Sequence, residues 1–152
     1  MAADLLATFG IYGASLVVSF IAGLFPPFSI EVFLFGLTAI VHPTFGEMVL
    51  CSLIAAVGHQ VAKTITYYAG VGALERGKLK QKIETIRPKI DKWIKAPKLV
   101  LFISSAIGLP PLWVIGFIAR PLMSIGIVPF TLIVFGTRIG RFGMIAAIPL
   151  LW

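Results

Sequence analysis

The sequence predicts an all-α, polytopic membrane protein with two re-entrant helical hairpins in an inverted-repeat arrangement, and three observations carry that expectation. Hydrophobic residues fill 59% of the 152 positions and charged residues only 12%, with a mean hydropathy of +1.01, which is outside the range of soluble domains. The apolar blocks are long and continuous instead of alternating, so helices and not a β-barrel satisfy the backbone inside lipid. A double proline follows Gly-Leu closely in GLFPPFSIEVFLFG (23–36) and again in GLPPLWVIGFIARPLMSIG (108–126). Two Pro-interrupted apolar segments at corresponding places in two halves point to an inverted repeat with a midplane site.

Residues 5–25 hold no Asp, Glu, Lys, Arg or His and are long enough to cross a bilayer. Asp4 and the absence of a preceding lysine or arginine do not match the basic start of a secretory signal, so this block is expected to be retained. Whether it crosses fully decides the side of the N-terminus, and the sequence leaves that open. Residues 26–41 form a short apolar piece led by Pro26 and Pro27, and residues 48–74 form a second block of crossing length.

Residues 75–98, ERGKLKQKIETIRPKIDKWIKAPK, carry nine basic and three acidic side chains and so nearly all of the net charge of +7. The positive-inside rule places them in the cytoplasm. Leu79, Ile83, Ile86, Ile90 and Trp93 recur every three or four positions, which predicts a basic amphipathic helix on the membrane surface with Trp93 at the interface. Attraction to anionic lipid headgroups follows, and no nucleic-acid module accompanies the basic run.

Residues 99–109 have about half the length that a crossing helix needs. They are expected to turn back at Pro110 and Pro111, so that residues 110–126 return toward the side of entry, a geometry tolerated where protein or a wet cavity surrounds it. Residues 127–152 close the chain as a last apolar block. The whole reads as one membrane domain: half one over 1–74, the cytoplasmic linker over 75–98, half two over 99–152.

Glu31, His59, Lys63, Arg120, Arg138 and Arg141 lie in or near these apolar stretches. Each charge at a helix centre costs about 2.5–3.5 kcal/mol on an insertion scale, so such residues face an interior and have partners. Glu31, four positions after the first double proline, is a candidate for proton coupling or substrate contact, or else pairs with Lys63 or Arg120 to assemble a hairpin. His59 and Lys63 share one helix face. Arg138 and Arg141 share another, suited to forked phosphate binding or to snorkelling at a helix end. Tyr67, Tyr68 and Trp113 read as interface anchors. Ser29, Ser104, Ser105 and Thr137 either line a site or bond their own helix backbone. Cys51 reads as a packed thiol. No metal cluster, cofactor motif or nucleophile with an assigned base is evident, so neither an enzyme nor a cofactor is expected.

These residues carry a resemblance. FPPFSIEVFLFG is similar to the proline-rich, glutamate-containing motif of the DedA superfamily, also called the SNARE-associated or VTT-domain family, whose usual form is PxPSExxL; Pro26, Pro27, Ser29, Glu31 and Leu34 stand in it here. AAVGHQVAKTITYYAG resembles the family's glycine-containing helix that ends in an aromatic pair and Gly70, and SSAIGLPPLWVIGFIARPLMSIG with PFTLIVFGTRIGRFG resembles its second hairpin and closing helix, most closely in the short YqaA-type members. The resemblance implies two facing re-entrant hairpins in a prokaryotic inner-membrane protein that moves or scrambles phospholipids or polyprenyl-phosphate lipids, in several members with proton coupling. Where other members show RxxPxxR in the second hairpin, this chain has Ser105 and no arginine before Pro110, so Arg120 and Arg138 are the candidates to compensate.

The function expected from this reading is lipid transport, with Arg120, Arg138 and Lys63 meeting an anionic headgroup, Glu31 gating or coupling by protonation, and Arg141 and His59 as further substrate-binding or coupling candidates; a second copy of so small a chain is a candidate partner to enclose a groove. The alternatives are a proton-coupled exporter of small cations or drugs, with Glu31 as the cation site, and a non-transporting scaffold that docks a partner on the basic helix.

Overall fold

The computed structural model describes residues 2–25, 28–75 and 80–147, all of whose regular structure is helical. Pro26 and Pro27, expected at the first hairpin tip, lie outside the described residues. Seven helices follow in order: α1 (Ala2–Leu24), α2 (Ile30–Val41), α3 (Phe45–Glu75), α4 (Lys80–Lys95), α5 (Pro97–Ile107), α6 (Leu112–Ile118) and α7 (Ile127–Ala147).

Two of them are long and apolar enough to cross a bilayer: α3 over Phe45–Ala73 and α7 over Ile127–Ile145. The first apolar block is not a single rod. Gly10 takes φ 66° and ψ −179°, a conformation open essentially to glycine alone, and leaves Gly10–Leu24 as a shorter apolar helix beyond the kink.

Local chemistry sets the other boundaries. Ser29 caps α2, its Oγ accepting from the Val32 amide at 3.3 Å. Thr44 and Glu47 form a reciprocal capping box: the Thr44 amide donates to Glu47 Oε2 at 2.7 Å and the Glu47 amide to Thr44 Oγ1 at 3.4 Å. That box starts α3 at Phe45, ahead of the apolar block expected from Met48. Pro97 opens α5 at its first turn, where the missing amide costs nothing.

The chain forms two compact units, residues 1–62 with 138–152, and residues 63–137. Each of the long helices α3 and α7 contributes to both.

In the first unit α1 packs on α2, and α1 also meets α3 where Gly58 lies against Ser19 and the Leu16 carbonyl. Any Cβ at Gly58 would sit 2.7 Å from that carbonyl oxygen. Ala14, Ser15, Ser19, Leu34, Leu37, Cys51, Ala55 and Phe142 are buried here, and the thiol of Cys51 is the packed group expected from the sequence.

In the second unit α5 packs on α6 across Gly108–Pro111, and α4 packs on α5. Gly108 ends α5 in the left-handed region, its amide bonding the Ser104 carbonyl at 2.9 Å, while the Ser104 hydroxyl bonds the Pro110 carbonyl. The core consists of Tyr67, Leu101, Leu112, Ile115, Ala119, Met123, Ile125, Phe130 and Val134. Tyr67 is a core residue and not an interface anchor: its ring is 5.0 Å from that of Phe130 and its hydroxyl donates to the Ile125 carbonyl at 2.8 Å. Tyr68 and Trp113 are exposed. The basic helix α4 also differs from a free surface helix, because Ile90 is buried and Trp93 packs against this core.

Candidate functional site

The site is built by α2 and α7 within the first unit. Glu31 is in the first turn of α2, where the positive end of the helix dipole favours a carboxylate. Arg138 and Arg141 are three positions apart on α7 and so emerge on one face. Both reach the same carboxylate oxygen: Arg141 Nε is 3.0 Å from Glu31 Oε1, and Arg138 Nη1 is 3.6 Å from it. The other oxygen, Oε2, accepts from the Ser29 hydroxyl at 2.9 Å. One serine therefore caps the helix and orients the acid.

Burial is graded across the trio. The Arg138 side chain is only 9% exposed, Glu31 22% and Arg141 30%, so the cluster is shielded on the Arg138 side and opens toward Arg141. Phe142, one turn beyond Arg138, supports the guanidinium with its ring centroid 5.7 Å away, and Ser52 on α3 donates to the Phe142 carbonyl at 3.5 Å. His59, buried on α3, meets the same ring edge-on at 5.9 Å. Arg138 Nε is buried with no hydrogen-bond partner among the described residues.

Two guanidinium groups against one carboxylate leave one positive charge over among these three side chains. At about 2.5–3.5 kcal/mol for each charge inside a membrane, the trio is stable there only as a mutually compensated group. Chemically it sets two guanidinium groups beside one carboxylate that the Ser29 hydroxyl also holds.

The sequence-derived candidates divide. Glu31, Arg138 and Arg141 come together, with His59 linked through Phe142. Arg138 is buried and not snorkelled, a correction to one reading of the α7 arginines. Glu31 has its described ion pairs with Arg138 and Arg141, where the pairing expected from the sequence was with Lys63 or Arg120.

Lys63 is buried one turn past His59 on α3, in the second compact unit. Arg120 is exposed in the turn after α6, beside the Tyr67 hydroxyl. Pro110 and Pro111 form the α5–α6 connection. Of the hydroxyl residues, Ser29 joins the site, while Ser105 and Thr137 bond each other and Thr137 also bonds the Ile133 carbonyl at 2.7 Å.

Phe142 is the site residue that the sequence reading missed. Its signal was available, since positions 138 and 142 stand one turn apart on a helix. No group of three or more metal-ligating side chains occurs among the described residues. No family model, curated protein or solved structure matches this chain.

Proposed function

We propose that this protein moves anionic lipids, phospholipid or polyprenyl-phosphate, across a prokaryotic inner membrane, with the Arg138–Arg141 pair receiving the headgroup and Glu31 coupling the step to a proton. The observation that carries this reading is the convergence of two arginines on one carboxylate oxygen in a mostly apolar helical unit. Guanidinium groups stay charged when desolvated and bind phosphate in forked geometry, which suits them to strip and hold a headgroup.

The two helical connections support a re-entrant placement. Phe25 and Phe28 flank the first, and Ile107, Leu109 and Trp113 surround the second, all exposed. Loop tips lined with large apolar side chains are suited to acyl chains rather than to water. The basic residues of α4 would then face the cytoplasmic leaflet.

Reconstitution into vesicles tests this reading with labelled phosphatidylglycerol, labelled phosphatidylcholine and a cationic dye. Transfer of the anionic lipid, cut about tenfold or more by Arg138→Gln, is the expected result. Dye flux without lipid transfer instead identifies a cation exporter with Glu31 as its site. Absence of both fluxes leaves the scaffold reading.

A further inference from the structure

We infer that Glu31 is an internal stand-in for the ligand: in the free protein its Oε1 occupies the place between Arg138 and Arg141 that a phosphoryl oxygen takes when a phosphate-bearing ligand binds. The inference rests on the anionic-headgroup reading of this site. It adds that the acid is displaced, so that ligand and carboxylate compete for the same guanidinium groups.

Three features of the geometry lead to this. First, the Arg138 contact is loose. Its 3.6 Å separation exceeds the roughly 2.7–2.9 Å of a charge-assisted hydrogen bond, and Nε of the same guanidinium is buried without a hydrogen-bond partner among the described residues. A guanidinium nine-tenths buried, with one loose ion pair and one unused donor, is under-satisfied by a single shared carboxylate oxygen. A phosphoryl group supplies several oxygens and matches the planar fork.

Second, one oxygen serves two cations. Arg138 and Arg141 share Glu31 Oε1, whereas a phosphoryl group offers each guanidinium an oxygen of its own. Third, Glu31 has somewhere to go. Its Oε2 is already held by the Ser29 hydroxyl at 2.9 Å, and it lies in the first turn of α2, where the helix dipole favours a negative charge. Leaving the arginines therefore does not strand the carboxylate, while Phe142 keeps the Arg138 guanidinium in position.

The sign of one substitution separates a stand-in from a structural pair or a cage wall. Removing the charge of a competitor strengthens ligand binding; removing a cage member or a structural strut weakens it. The full chain, in nanodiscs of neutral lipid, is titrated with inorganic phosphate and separately with a short-chain phosphatidic acid. Glu31→Gln is expected to tighten binding about tenfold and Arg138→Gln to weaken it about tenfold or more. Tightening in both arms assigns the site to phosphate from any source, and tightening with phosphatidic acid alone assigns it to a lipid headgroup. Weaker binding in Glu31→Gln, or no binding of either probe by the wild type, overturns the inference.

A measurement on the wild type keeps the test independent of whether the variant folds. A hydrophobic carbodiimide should modify Glu31 faster when the phosphate probe is present, as read by peptide mass spectrometry, because the displaced carboxyl has lost its arginines. Slower modification means that the ligand sits over an intact pair and the inference is wrong. Transport is scored separately. Displacement without lipid transfer removes the transport reading alone, and lipid transfer with weakened binding in Glu31→Gln removes the displacement alone.

Discussion

At the scale of single residues, the Glu31–Arg138–Arg141 trio decides most. Breaking a buried ion pair by removing one partner typically costs about 3–5 kcal/mol, because a charge is left uncompensated. Glu31→Gln is thus expected to lower the melting temperature of the ligand-free protein, and millimolar phosphate should recover most of the loss, since a ligand bound only to the folded state stabilises it. Thermal melts with and without phosphate check both halves, and a loss that phosphate leaves unchanged would count against the site as an anion receptor. Phe142→Leu keeps the site apolar at a modest loss of volume but removes the ring beneath Arg138. A loss of about 1 kcal/mol is expected, read as a lowered melting temperature, with a matching decline in phosphate affinity. That Glu31 needed partners was legible from its place in an apolar stretch. Which cations came to it was not, because Lys63, Arg120, Arg138 and Arg141 are equivalent in hydropathy and differ only in where folding brings them.

Helices and their contacts make a second set of expectations. Gly10 has nothing near its missing Cβ, so only its backbone conformation opposes substitution. Gly10→Ala is expected to destabilise the chain by about 1–3 kcal/mol, the usual cost of holding a side chain in such a region. Gly36 on α2 also has open space around it, and there Gly36→Ala should stabilise by up to about 1 kcal/mol through helix propensity. Gly70 on α3 is the opposite case: its Cβ would run into the Phe117 carbonyl oxygen. Because that obstacle is backbone, Gly70→Ala should force α3 from α6 and cost more stability than either other change. Denaturation midpoints of the three variants in one detergent give the order, and a benign Gly70→Ala would contradict the α3–α6 packing. Most segment boundaries were readable to within a few residues, since hydropathy, double prolines and capping residues act locally, but the return piece expected over 110–126 is helical only as α6, Leu112–Ile118. The break at Gly10 was not readable, because a glycine inside an apolar run is compatible with a straight helix as well as a bent one.

For the molecule as a whole, the prediction concerns which surfaces meet lipid. Leu50, Leu53, Val57, Val61 and Ile65 recur every three or four positions on α3 and are all exposed, which makes a continuous apolar stripe. With Cys51 replaced by alanine, cysteines at positions 57 and 61 should resist a membrane-impermeant maleimide, whereas cysteines at the exposed positions 92 and 95 of α4 should react with it in detergent and, in vesicles, from one side alone. Ready labelling at 57 and 61 would place that stripe in water and remove the membrane reading of α3. What the sequence alone determined was the helical class, the order and approximate limits of most segments, the crossing length of the block that became α3, and the set of costly polar residues; the block expected to cross at 5–25 breaks at Gly10, and the second helix of crossing length is α7. Each feature so determined is a property of neighbouring positions along the chain. The tertiary structure alone decided that Arg138 and Arg141 meet Glu31, that Phe142 supports the pair, that Tyr67 is a core residue and that Trp93 packs on protein. Those outcomes depend on which helices lie side by side, and a one-dimensional pattern of hydropathy does not encode the neighbour across the gap.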